Sequence, residues 1–303
     1  MTLYLDDFSR HLQSQERSPL TVSGYCRDLT LFARWFERQY EGGFSPERLT
    51  PDVVRAYKRH LLERKAKPQT VNRALAALTA YGHWAMLAGH LPDGRNPVQG
   101  IRKVPAVDSG PRWLSRTERA ALLRAIDAEV ERAIRQYPRL QVQVRRDAAI
   151  TLLMLNTGLR LEEVQALNLE DVTLGERSGK VVVRSGKGGK YREVPLNAPA
   201  RRALRRYLVT RPEGASDALF LGQRGRRIGR KTVQRAVWRF SKQAGLKRVS
   251  PHVLRHTFAK SLVDNGVSLE KVAALLGHSD LNTTRRYVTP GERDLQDAVE
   301  GLG

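Results

Sequence analysis

The stretch over residues 252–288 reads HVLRHTFAKSLVDNGVSLEKVAALLGHSDLNTTRRYV, and it determines the fold more than any other segment of the chain. His252 and Arg255 are three positions apart, so they share one face of a helix. The glycine before His278 predicts a helix end there, and Tyr287 follows nine residues later. Each signal alone is weak, because a helical His-x-x-Arg is often a surface feature and a single tyrosine is usually a packing residue.

Two segments upstream carry charged residues of the same kind. Residues 157–164, TGLRLEEV, place Arg160 after a glycine break at a helix start, with Glu163 one helical turn later where it can hold the arginine. Residues 181–196, VVVRSGKGGKYREVPL, predict a β-hairpin with Lys187 in its glycine-rich turn. An ordinary capping ion pair and a generic hairpin loop stay open as alternatives. The turn is not a nucleotide-binding P-loop, because it lacks the spacing and the Ser or Thr after lysine.

The first hundred residues predict helices separated by short breaks. Ser18-Pro19 and Thr50-Pro51 each combine a capping residue with proline at the first helical position. Apolar residues then recur at three- and four-residue steps, as on the buried face of a helix. We therefore expect a four-helix domain over residues 1–98, a linker over residues 99–112 and a second domain over residues 113–303.

The second domain is expected to be mainly α with a small β element. Residues 115–118, Ser-Arg-Thr-Glu, have the pattern of a capping box. Residues 129–146 are polar and predict a helix and a loop at the surface, before an apolar helix over residues 148–156. Basic helices are predicted over residues 199–208 and 231–244. The fold class is thus an N-terminal four-helix domain followed by a C-terminal α+β domain.

Charge points to a polyanionic partner. The 303-residue chain is 41% hydrophobic, enough to bury a core, and its formal net charge is +22. Residues 180–260 hold 22 Lys or Arg and 3 Asp or Glu, and such one-sided charge favours a nucleic-acid surface. No apolar run reaches the roughly 20 residues of a membrane span, and no secretory signal is recognised. With Cys26 as the only cysteine, we expect a cytoplasmic, nucleoid-associated protein without a disulfide.

Together, and in this order, the four segments resemble the tyrosine recombinases, also called the phage integrase family. The matching segments are TGLRLEEV, the hairpin VVVRSGKGGKYREVPL, HVLRHTFA and LLGHSDLNTTRRYV. The resemblance spans residues 112–290, and the N-terminal helices fit the family's core-binding domain in size. It implies a site-specific DNA recombinase with a core-binding domain and a tyrosine recombinase catalytic domain.

The resemblance also implies the roles of individual residues. Arg160 and Arg255 would clamp the scissile phosphate, a task that suits arginine because its planar, permanently charged fork binds two phosphate oxygens. Lys187 would protonate the leaving 5′-hydroxyl. His252 would handle protons, and His278 would hydrogen-bond the phosphate.

Tyr287 would be the nucleophile that forms a 3′-phosphotyrosyl link. A free tyrosine has a pKa of about 10, so its attack needs a nearby base and flanking cations, which His252, Arg285 and Arg286 can supply. The covalent link stores the bond energy, so rejoining needs no ATP and no metal or other cofactor. Zinc is disfavoured, because the histidines of this region lack an obvious carboxylate partner set.

The expected partner is double-stranded DNA, with affinity that falls steeply with salt. The segment after Pro290 has a short amphipathic pattern, which is also compatible with folding back on its own domain. By resemblance, it would instead dock on a neighbouring subunit, giving a homotetramer, or a heterotetramer with a related recombinase, on two DNA sites. Two alternatives stay open. One is a type IB topoisomerase-like enzyme that relaxes DNA as a monomer, and the other is a non-catalytic DNA-binding regulator on the same fold.

Overall fold

The computed structural model of the chain describes residues 3–91, 96–105, 110–184, 191–214, 216–278, 282–285 and 299–300. Its contacts divide the chain into two compact units, residues 1–109 and residues 110–303. The predicted fold class is confirmed, since the described residues are mainly helical with one small antiparallel sheet. The predicted domain bounds stay predictions.

The N-terminal unit contains the four predicted helices. They are α1 Leu5–Ser14, α2 Pro19–Gln39, α3 Pro51–Glu63 and α4 Pro68–Leu87, with a 3-10 turn over Pro46–Arg48. The hydroxyls of Ser18 and Thr50 accept the backbone N–H of the third residue of α2 and α3, so both predicted caps are confirmed. Part of the predicted linker packs on this unit, because the Asn72 amide pairs with both backbone groups of Val104.

The C-terminal unit surrounds a central helix, α6, with seven further helices and a three-stranded sheet among its described residues. The helices are α5 Arg116–Gln136, α6 Gln141–Thr157, α7 Leu161–Ala166, α8 Ala198–Leu208, α9 Arg230–Gln243, α10 Pro251–Asp264, α11 Leu269–Leu276 and α12 Asn282–Arg285, and 3-10 turns lie over Pro138–Leu140, Leu169–Asp171 and Gln223–Gly225. The strands are β1 Val172–Leu174, β2 Gly179–Val183 and β3 Arg192–Pro195. All neighbours are antiparallel in the order β1-β2-β3, and Val181 lies opposite Val194.

The polar segment before the central helix corrects one prediction. We expected residues 129–146 to form a surface helix and loop, and the end of α5, up to Gln136, and the exposed turn over residues 137–140 fit this prediction. The end of the segment does not, because α6 begins at Gln141 and Arg146 is buried, as is the next residue, Asp147. Arg146 donates two hydrogen bonds to the Asp147 carboxylate and one to the backbone carbonyl of Leu221. Periodicity of apolar residues does not detect a buried, paired charge of this kind. The capping box at the start of α5 is confirmed.

No helix in the described ranges is both long enough and apolar enough to cross a membrane.

Candidate active site

Three arginines converge on the C-terminal end of α11. The backbone carbonyls of residues 275, 276 and 277 accept hydrogen bonds from Arg192 (2.9 Å), Arg255 (2.8 Å) and Arg160 (3.2 Å), in that order. The last carbonyls of a helix have no partner within the helix, and they form the negative end of its dipole. This helix end therefore holds together guanidinium groups that come from the residue before α7, from β3 and from α10, which are far apart in the sequence.

Arg255 is anchored on two sides. It is buried on α10 and donates from Nη1 to the carbonyl of Gly158 at 2.6 Å. Gly158 ends α6 with φ +65°, and a Cβ atom there would lie 2.5 Å from Phe258 Cδ1 and 2.8 Å from Leu276 Cδ2. The position accepts only glycine without strain. Gly158, the glycine break before Arg160, thus also provides a hydrogen-bond acceptor for Arg255.

Glu163 holds Arg160 as predicted. One carboxylate oxygen accepts the backbone N–H of Arg160 at 2.8 Å, and the other accepts its Nη1 at 2.9 Å. Arg160 directly precedes α7, so the carboxylate of Glu163 caps the helix and orients the guanidinium with the same group. The prediction that these residues form a contact is confirmed.

Arg192 is a member of this cluster that the sequence analysis missed. Its Nη1 and Nη2 donate to the two oxygens of Glu163 at 2.9 and 2.7 Å, which gives a fork-to-fork pair. Burial alone raises the pKa of Glu163, but the hydrogen bonds and charge of Arg192, and then the hydrogen bonds of Arg160, outweigh it, so the pKa lies below its usual value. The available signal was strand alternation, because Arg192 shares the buried face of β3 with Val194.

His278 lies between Arg255 and Thr284. Its Nε2 is 2.9 Å from Arg255 Nη2, and its Nδ1 is 2.9 Å from the buried hydroxyl of Thr284. A guanidinium can only donate, so Nε2 accepts, and a neutral ring carries its proton on Nδ1 and donates it to Thr284. Burial first, and then the charges of Arg255 and Arg160, lower the pKa of His278 to about 4. The imidazole is therefore neutral at pH 7.

The structure places the remaining predicted residues less completely. His252 is exposed on α10, one helical turn before Arg255. Lys187 and Tyr287 lie outside the described residues. Thr284, three residues before Tyr287, nevertheless contacts the site, because its hydroxyl forms a hydrogen bond with His278.

The arrangement suits an oxyanion. Arg160 and Arg192 share the single carboxylate of Glu163, which leaves at least one positive charge in excess, and Arg255 adds a third guanidinium. These groups are held by backbone carbonyls before any substrate arrives, so little reorganisation is needed when negative charge develops beside them. Fixed guanidinium groups of this kind stabilise the charge that builds up on a phosphate during transfer.

Two family models match the chain. The Phage integrase family matches residues 124–293, and the Phage integrase, N-terminal SAM-like domain matches residues 5–89. The first match contains all the described residues of the arginine cluster as well as Lys187 and Tyr287.

Curated relatives and solved structures agree with these matches. A tyrosine recombinase XerC from Chlorobaculum parvum is 32% identical over 94% of this chain and 89% of its own, and one from Pseudomonas fluorescens is 33% identical over 95% and 91%. Among solved structures, XerA recombinase is 25% identical, covers 99% of this chain and 97% of its own, and has a TM-score of 0.53. A XerH site-specific recombinase bound to palindromic difH substrate is similar in fold, with a TM-score of 0.70 at 23% identity, over 96% of this chain and 84% of its own.

Proposed function

The chain belongs to the phage integrase family, and we propose that it is a site-specific tyrosine recombinase that cuts and rejoins double-stranded DNA through a 3′-phosphotyrosyl intermediate. The observation that carries the proposal is the placement of Arg160 and Arg255, with His278, at one end of α11. Relatives at about 32% identity over most of the chain are named tyrosine recombinases. The formal charge of +22 suits a duplex backbone.

In the proposed reaction the Tyr287 oxygen attacks the scissile phosphorus while the bond from phosphorus to the 5′-oxygen breaks. The tyrosine proton passes to a base, for which His252 is the candidate because it is exposed and lies one turn from Arg255. Lys187 gives a proton to the leaving 5′-oxygen. Arg160 and Arg255 bind the non-bridging oxygens and stabilise their growing charge. Rejoining is the reverse reaction with a 5′-hydroxyl of another strand as the nucleophile.

His278 acts on the phosphate through its Nε2 atom in this proposal. In the structure Nε2 accepts from Arg255, and Nδ1 faces the hydroxyl of Thr284. A threonine hydroxyl both donates and accepts. When Nη2 of Arg255 donates to the phosphate in place of His278, Nδ1 can release its proton to water and Nε2 can take one up from water. The Thr284 hydroxyl then donates to Nδ1, and Nε2 donates its proton to a phosphate oxygen. The low pKa of His278 keeps the ring neutral, so this step is a change of tautomer and not of charge.

We further propose that the protein works as a homotetramer, or as a heterotetramer with a related recombinase, on two DNA sites in the nucleoid. The segment from residue 291 to residue 303 supports this because its apolar residues recur in a short amphipathic pattern, and Val299 is 69% exposed. Docking on a neighbouring subunit would remove this apolar surface from water. Deleting residues 291–303 should abolish the synaptic complex on native gels and leave binding of a single DNA site intact. Unchanged synapsis would contradict the assembly.

One experiment tests the function itself. The protein is incubated with a pool of nicked duplexes of random sequence, and DNA trapped covalently on the protein is sequenced. A recombinase should enrich one defined sequence and should leave supercoiled plasmid without that sequence unrelaxed. Efficient relaxation of any plasmid would favour a topoisomerase, and absence of covalent product on every duplex would refute the proposal.

A further inference from the structure

Arg192 occupies an unusual position for a charged residue. It is the first residue of β3 and only 9% exposed, on the face that Val194 and Leu196 also bury. Burying a guanidinium without a partner is costly, so the chain has a reason to keep Arg192 there only if its contacts repay the cost. Its hydrogen bonds are with Glu163 and Leu275, in the arginine cluster at the end of α11.

Arg192 connects two parts of the site that are far apart in the sequence. It donates two hydrogen bonds to Glu163 at the start of α7 and one to the carbonyl of Leu275 near the end of α11. Its guanidinium also packs against Gly277, where a Cβ atom would lie 2.9 Å from Nη1 and 3.1 Å from Cζ. The side chain therefore fixes the distance between the Glu163 carboxylate and the turn that precedes His278.

The consequence reaches Arg160 through Glu163. Each oxygen of the Glu163 carboxylate accepts one bond from Arg160 and one from Arg192. Two bonds from the Arg192 fork fix the plane of the carboxylate, and that plane sets the direction in which Arg160 is held. A lysine at this position would keep the positive charge but lose the fork, because an ammonium is a point charge on a flexible stem.

We propose that Arg192 is a positioning residue for DNA cleavage, which orients Arg160 toward the scissile phosphate by locking Glu163 against the end of α11. The proposal rests on the proposed function. In this role Arg192 acts through Glu163 on the geometry of the phosphate clamp and not by contact with the reacting atoms. Misplacing a catalytic group by about 1 Å can cost about 100-fold in rate.

The test compares Arg192→Lys with a matched control, Arg146→Lys. Arg146 is 7% exposed, forms two hydrogen bonds to one carboxylate and donates one to a backbone carbonyl, which is the same set of partners away from the cluster. Both variants should lower the melting temperature. At saturating protein and a temperature well below both transitions, Arg192→Lys should slow single-turnover formation of the covalent DNA adduct by about 10- to 100-fold. Arg146→Lys should stay within about threefold of wild type, and the DNA Kd of both should change by less than about threefold.

A second substrate shows which step is impaired. Sulfur in place of the bridging 5′-oxygen makes a leaving group that needs no proton, because thiols ionise near pH 8.5. A Lys187→Ala variant should recover its rate on this substrate, whereas Arg192→Lys should stay slow because its defect lies in the phosphate clamp.

Three results would overturn the role of Arg192: a wild-type rate for Arg192→Lys, an equal slowing in Arg146→Lys, or full recovery of Arg192→Lys on the sulfur substrate. A wild-type protein that forms no adduct on its selected site would instead refute the proposed function.

Discussion

Replacing Glu163 with glutamine should destabilise the C-terminal unit far more than its small chemical change suggests. The carboxylate accepts four hydrogen bonds of 2.7–2.9 Å, two from Arg160 and two from Arg192. A glutamine side chain keeps one acceptor oxygen and turns an NH₂ group toward donors that it cannot satisfy. Two of the four bonds are lost, and two guanidinium groups lose their shared counter-charge.

The magnitude follows from the burial. The Glu163 side chain is 3% exposed and that of Arg192 is 9% exposed, so water cannot replace the lost bonds there. Losing one partner of a buried ion pair costs about 3–5 kcal/mol. Arg160 is 22% exposed and can rehydrate in part, so we expect about 3 kcal/mol. For a unit of this size that lowers the melting temperature by roughly 6–12 °C.

Glu162→Gln is the matched control for calorimetry. It makes the same chemical change one residue earlier, where the Glu162 side chain is 47% exposed and pairs with Arg230, itself 40% exposed. Exposed pairs contribute about 0–1 kcal/mol, so this variant should melt within roughly 3 °C of wild type. Differential scanning calorimetry at pH 7 measures both variants.

The pH dependence adds a second check. Because the pKa of Glu163 is lower in the folded state than its usual value, its contribution is present at neutral pH and is lost as the pH falls through the folded-state pKa. The difference in melting temperature between wild type and Glu163→Gln should therefore become smaller at acidic pH. Equal melting temperatures for Glu163→Gln and Glu162→Gln at pH 7 would refute the reasoning.

Three further changes test other contacts of the site. Gly158→Ala should lower the free energy of unfolding by roughly 2–4 kcal/mol, because the residue has positive φ and its Cβ would overlap with Phe258 and Leu276. In the control Gly266→Ala, a residue with positive φ in open space, the loss should be about 1–2 kcal/mol, measured by chemical denaturation. Thr284→Val should slow adduct formation without weakening DNA binding, because it removes the partner of His278 Nδ1. Thr284→Ser, which keeps the hydroxyl, and Thr283→Val, at an exposed position, should form the adduct at the wild-type rate. Because the folded-state pKa of His278 is about 4, below its usual 6.5, His278 should contribute stability above pH 6.5 that is lost as the pH falls toward 4. A pH–stability curve unaltered by His278→Gln would contradict this.

Local signals predicted the elements that local chemistry determines. Ser18, Thr50 and Ser115 begin helices because their hydroxyls each satisfy an N–H group only three residues away. Gly158 and Gly277 end helices because both adopt positive φ. The Arg160–Glu163 contact spans a single turn, so spacing alone predicted it.

Contacts between distant residues were not predictable in the same way. Arg146 is buried because it donates to the carbonyl of Leu221, 75 positions later in the chain. Arg192 is buried because it pairs with Glu163, 29 positions earlier. In sequence Arg146 belongs to a segment that was predicted to lie at the surface. Strand alternation indicated that Arg192 points inward, but nothing in a single sequence indicated which carboxylate would meet it.

The identity of the nucleophile is the central claim, and a suicide duplex tests it most directly. On a nicked substrate whose cut fragment diffuses away, wild type should form an adduct that survives denaturing detergent, and mass spectrometry should place the nucleotide on the tryptic peptide Tyr287–Arg293. Tyr191→Phe, which alters a tyrosine that is 63% exposed, should form the same adduct. Tyr287→Phe should bind the duplex with unchanged affinity and form none. An adduct on Tyr287→Phe, or one mapped to another residue of the wild-type chain, would contradict the account.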